Sequence, residues 1–95
     1  DEKNILKEVG RLRCQATGRK VTVLSSQPAA VLYTGNWLAG GCPKTKSDKY
    51  YQDYAGVAIE CQGFSDAVNH PDFPSIYLKA DELYCNKIVF KLEQF

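Results

Sequence analysis

The chain has 95 residues, 44% hydrophobic and 24% charged, a balance that suits one small globular domain and excludes a disordered chain. Twelve Lys and Arg against eleven Asp and Glu leave a net charge of +1, which excludes a strongly basic nucleic-acid-coating protein. No apolar run approaches the ~18 residues of a membrane-spanning helix.

Residues 1–10 are polar with Ile5, Leu6 and Val9 interspersed, and read as an N-terminal arm that Gly10 stops. Residues 11–24 read as a β-hairpin. Leu12 and Cys14 alternate with Arg11 and Arg13, Gly18 supplies the positive φ of the turn, and Val21–Leu24 is a β-rich return strand. Ser25-Ser26-Gln27-Pro28 has the form of a helix start, a Ser cap with Pro in the first turn, and predicts a helix over roughly 26–39 that Gly40-Gly41 ends. A polar loop, 43–53, follows. A strand is expected over 54–62, with Val57, Ile59 and Cys61 on one face, and then a loop over 63–72. Phe73–Leu78 reads as a short strand that Pro74 places at an edge, and 83–92 as the last strand. The order implies an α+β fold, one α-helix packed on an antiparallel β-sheet, with 1–95 as a single domain.

Four cysteines, Cys14, Cys42, Cys61 and Cys85, have no C-x-x-C spacing, and the single histidine, His70, has none of them close by in sequence. Two disulfides therefore suit them better than a metal site, and disulfides imply secretion. A start at Asp1 fits a mature secreted protein or an expressed segment. Three connectivities are open. The nested one, Cys14–Cys85 with Cys42–Cys61, ties the first strand to the last and the helix exit to the central strand. Closing the longer loop stabilises by about 4 kcal/mol in the chain-entropy model.

Candidate binding residues fall in two places. Lys44, Lys46 and Lys49 crowd one loop ahead of Tyr50, Tyr51 and Tyr54, a mix of cations and rings that suits single-stranded nucleic acid as well as a solvated face. His70, in Asn69-His70-Pro71, is a loop histidine able to act as a general base, and Glu60 turns to the strand face opposite Ile59 and Cys61. A small hydrolase using His70 and Glu60 is one reading of this pair. Nothing in the chain calls for a metal or a cofactor.

The order of these pieces resembles the small fungal guanyl-specific ribonucleases. Lys49–Ile59 is similar to their K-Y-x-x-Y-E-G-F-x-F strand with one residue inserted. Phe73-Pro74-Ser75-Ile76 resembles their aromatic-Pro-aliphatic strand, and Asn86–Phe90 their D-R-V-V-F strand. The resemblance implies that Ala55 stands where those enzymes carry the general base and Lys87 where they carry an arginine. It also implies that the strand bearing their catalytic histidine is missing, leaving a pseudo-ribonuclease without activity. Such a scaffold is similar to the secreted RNase-like effectors of cereal powdery mildews. That likeness implies a monomer delivered into a host plant cell, binding host proteins or RNA and recognised by an intracellular immune receptor. Tyr51, Tyr54 and Lys87 would line the relic cleft, and the loops Pro43–Asp53 and Gly63–Asp72 the interaction surface. The cysteine spacings also resemble a ZP-N polymerisation module, whose β-sandwich would make Ser25–Ala39 strand and loop.

Overall fold

Alternation of apolar and polar residues builds the larger of two small sheets. The structure, a computed structural model, describes residues 4–41 and 43–95. Its strands are β1 (Lys7–Cys14), β2 (Arg19–Ser25), β3 (Ala29–Tyr33), β4 (Ala58–Gln62) and β5 (Ile88–Gln94), with short 3-10 turns at Leu38–Gly40 and Ala67–Asn69. β1, β2 and β5 form an antiparallel sheet with β2 in the centre, and β3 and β4 form a second sheet. The hairpin expected over 11–24 is present, and Gly18 closes its turn at φ +64. The arm, however, pairs from Lys7 onward. Gly10 does not end it but lies in β1 where the register shifts between Glu8 and Gly10.

Register sorts the sheet into two faces. One carries Leu12, Val21 and Leu92 in one row and Gly10, Val23 and Phe90 in the next; the other carries Arg13, Lys20 and Glu93, then Arg11, Thr22 and Lys91. Ion pairs satisfy the polar face: Lys20 Nζ lies 3.2 Å from Glu93 Oε2, and Arg11 Nε 2.7 Å from Glu8 Oε1. The Phe95 N–H donates to the Gly18 carbonyl at 2.8 Å, tying the end of the chain to the hairpin turn.

The expected helix over 26–39 is absent, and the α+β reading gives way to an all-β fold. The Ser25 hydroxyl accepts the Gln27 N–H at 3.0 Å, a bond that caps a bend as readily as a helix. Ser26 decides between them. Its N–H donates to the Lys87 carbonyl at 3.1 Å and its Oγ accepts the Lys87 N–H at 3.0 Å, which holds the chain extended alongside the approach to β5. Ala29–Tyr33 then pairs with β4, tertiary pairing overriding the alanines' helix preference, and Gly35 at φ +74 turns the chain away.

Other elements are shorter than expected for local reasons. Tyr54 sits at φ +61, so the strand expected from 54 begins only at Ala58. Phe73–Leu78 forms no strand, Pro74 lacking an N–H for a ladder. β5 begins at Ile88 because its partner β2 ends opposite it at Ser25. The nested disulfides are also corrected. Cys14, Cys61 and Cys85 are free thiols, with Cys14 and Cys85 exposed and Cys61 buried; Cys42 lies outside the described residues.

The described residues fall into two compact units, one combining those up to Ala30 with Cys61–Phe95, the other Val31–Glu60. Buried apolar side chains among them are Val23 and Cys61, joined by Thr22 and Ser25. Most of the large apolar side chains remain exposed, Trp37, Leu83 and Leu92 most of all.

Candidate functional site

Glu60 lies in the middle of β4. Period-two alternation sets it opposite Ile59 and the buried Cys61, and its carboxylate is exposed with no hydrogen bond or ion pair to any described residue. The other carboxylates of Val31–Glu60 are engaged. Asp53 Oδ1 accepts the Ala39 N–H at 2.9 Å, and Asp48 Oδ1 lies 3.0 Å from Lys44 Nζ. Glu60 is therefore the carboxylate of this unit without a partner among the described residues.

The same unit holds most of the expected binding residues, in structural roles or in solvent. Lys44 also lies over the Tyr50 ring, 5.4 Å from its centroid. Lys49 closes a tight turn, its N–H donating to Thr45 Oγ1 and its carbonyl accepting the Thr45 N–H. Lys46 is exposed with no partner among the described residues, and Tyr51 and Tyr54 are exposed. The Tyr54 N–H donates to the Gly35 carbonyl at 2.8 Å, and the Trp37 N–H to the Tyr33 hydroxyl at 3.3 Å.

His70 and Lys87 belong to the other unit. His70 Nε2 lies 3.2 Å from Asp66 Oδ2, and its ring stacks on Phe73 at 4.7 Å, which in turn packs against Phe64. Asp66, at φ +60, also accepts from the Asn69 side chain. The histidine is thus one member of a local loop clasp. Lys87 contributes its backbone to Ser26, as above. At the end of β1 a hydrogen bond from the Thr17 side chain draws the Cys14 thiol below its usual range, its N–H and the Arg19 charge adding to the effect.

A groove of about 1130 Å³ opens on this unit, lined by Ile5, Pro28, Phe64, Ile76, Tyr77 and Leu83 among others; neither Glu60 nor His70 lines it. Among the described residues no cluster of three His, Cys, Asp or Glu is placed to hold a metal ion.

Comparison with known proteins gives these features their context. Residues 1–91 match the aldose 1-epimerase family. The chain is 41% identical over 81 residues to the galactose mutarotase of Rattus norvegicus and 38% identical over 81 residues to that of Homo sapiens, each match covering 85% of this chain and 23% of the relative. It is 43% identical over 51 residues, 54% of this chain and 14% of the relative, to the aldose 1-epimerase of Haemophilus influenzae. The chain thus spans about a quarter of the length of the mammalian relatives.

These matches overturn the ribonuclease resemblance and everything carried on it. The short K-Y-x-x-Y and aromatic-Pro pieces lie in loops here and are not ribonuclease strands. Ala55 is a turn residue beside Tyr54, and its lack of a carboxylate says nothing about lost catalysis. The pseudoenzyme reading gives way, because the relatives are galactose mutarotases and aldose 1-epimerases. With it go the avirulence effector, host-protein and RNA partners, the immune receptor and delivery into a plant cell. The secretion argument also loses its disulfides. The ZP-N alternative is excluded by the same matches, although Ser25–Ala39 is indeed strand, bend and turn. Nearly the whole length of the sequence matches one family, and the chain belongs to the aldose 1-epimerase family.

Proposed function

We propose that this chain contributes to the interconversion of the anomers of an aldose at C1, with Glu60 as a proton-transferring carboxylate. Inverting C1 of a cyclic aldose needs two coupled proton transfers. A base takes the proton of the C1 hydroxyl while an acid protonates the ring oxygen, the C1–ring-oxygen bond breaks, and the open aldehyde forms. Rotation about the C1–C2 bond and closure on the opposite carbonyl face return both protons and give the other anomer, with no net oxidation. The observation that carries the assignment is the exposed Glu60 carboxylate, unpartnered among the described residues, on a regular strand of a chain in this family. A strand holds such a group more rigidly than a loop does.

The second proton-transferring group is expected from outside this unit. Val31–Glu60 contains no histidine, and the single His70 is engaged by Asp66 and Phe73. The test is a chimera in which this chain replaces the matched stretch of the Rattus norvegicus galactose mutarotase, with mutarotation of α-galactose followed by polarimetry. Glu60→Gln keeps the size and removes the base, and is expected to lower the rate by about 10²–10⁴-fold. His70→Gln is expected to stay within about twofold of the unsubstituted chimera. A Glu60→Gln rate within that same margin would remove the assignment.

A further inference from the structure

Two polar side chains share one face of β4. Ala58, Glu60 and Gln62 alternate along the strand with Ile59 and the buried Cys61. Ala58 offers only a methyl group, so the chemistry of this face lies in a carboxylate and, two residues on, an amide. Gln62 is half-buried, yet its amide makes no hydrogen bond to any described residue, and neither amide atom is sealed from solvent. A half-buried glutamine gives up rotamer freedom, and its carbonyl and NH2 both need partners. A ligand hydroxyl, which donates and accepts at once, meets that need in the place of water.

We propose that Gln62 binds the C2 hydroxyl of the aldose while Glu60 acts at C1, which makes it a specificity-determining residue of the same site; the choice of C2 rests on the role given to Glu60. Spacing selects that hydroxyl. Residues two apart on a strand stand ~6.7 Å from one another, and hydroxyls on adjacent ring carbons, each hydrogen-bonded at ~2.8 Å, bridge that distance. The reaction favours it as well. Ring opening is followed by rotation about the C1–C2 bond, so a held C2 hydroxyl gives the turning aldehyde a fixed pivot. That hydroxyl gains and loses no proton, and a neutral amide holds it without placing a charge beside the Glu60 carboxylate. A bond made equally in the ground and transition states lowers KM and leaves kcat alone.

The test uses the chimera described above with two sugars, α-galactose and its 2-deoxy analogue, each followed by polarimetry. Gln62→Met keeps the length of the side chain and removes the amide. With α-galactose it is expected to raise KM about 3–10-fold, with kcat within about twofold of the unsubstituted chimera. With the 2-deoxy sugar the unsubstituted chimera is expected to show the raised KM already, and Gln62→Met to change it no further. An equal rise with both sugars would overturn the proposal, as would an unchanged KM with α-galactose or a loss confined to kcat. Should Gln62→Met fail to fold, Gln62→Asn, which retains the amide but withdraws it by one methylene, is read in its place with the same expectations. Glu60→Gln separates the two readings, since its loss is expected in kcat and with both sugars. A silent Glu60→Gln beside a sugar-dependent Gln62→Met removes the base and leaves the C2 contact standing. The converse pair of results removes the C2 contact alone.

Discussion

The three-stranded sheet and the segment Val31–Glu60 are held by different means. In the sheet, seven consecutive β2 residues pair with β5, and Val23 at the centre is fully buried. In Val31–Glu60 the one buried residue among those described is a glycine, Gly35, and order comes from hydrogen bonds to a few hubs. The Gly35 carbonyl accepts from Leu38 and Tyr54, Asp53 accepts from Ala39, and Thr45 is bonded to Lys49. One region depends on packing repeated over a regular ladder, the other on individual backbone geometries. Damage should therefore spread differently from each.

The largest effect is expected at Val23. Val23→Asp places an unpaired carboxylate where no exposed surface exists, and costs roughly 3 kcal/mol or more. Urea unfolding followed by far-UV circular dichroism is expected to lose its cooperative transition. A shift no larger than a surface substitution gives would mean that the sheet is not organised around this side chain, and would erase the contrast between the two regions.

Gly35 is the counterpart in the other region. Its φ of +74 is one that L side chains rarely adopt, and a Cβ there would lie 2.7 Å from Leu38 Cδ1 and 2.8 Å from the Gly56 carbonyl oxygen. Gly35→Ala is expected to cost about 1–3 kcal/mol. The consequence should be local: hydrogen exchange at the Tyr54 amide, which donates to Gly35, accelerates while the β2 amides keep their protection. Equal acceleration in β2 would show that the two regions unfold as one.

The contrast also explains what the sequence could disclose. The hairpin and the Ile88–Phe90 start of β5 are visible in alternation and β-branched residues, because a half-buried sheet imposes a period of two. The helix expected over 26–39 failed because Ser25-Ser26-Gln27-Pro28 carries the same local bonds in a bend as in a cap, and the deciding partner, Lys87, lies 61 residues away in sequence. The cysteines misled for a related reason. Their number suited a disulfide-tied secreted domain, but three of them are free thiols. Glu60 could be singled out as an exposed strand carboxylate from alternation alone. The aldose substrate proposed for it is not encoded in spacing and rests on the family match.

The smallest effect belongs to the polar face of the sheet. The hydrogen bond with Lys20 holds the Glu93 carboxyl below its usual range, its charge and that of Lys91 and the Thr22 hydroxyl adding to the shift. A carboxylate whose value is depressed in the folded chain favours folding at pH above its unfolded value, about 4.3. That contribution disappears as pH falls through the lower folded value, where both states are protonated. Stability is therefore expected to decline on acidification below about pH 4, and Glu93→Gln to flatten that part of the profile while leaving the rest of it unaltered. The pair is solvent-exposed, so the loss should be smaller than that from Gly35→Ala and should shrink further in high salt. If Glu93→Gln instead matched Val23→Asp, the polar face would be carrying the sheet in place of the packed Val23 side chain.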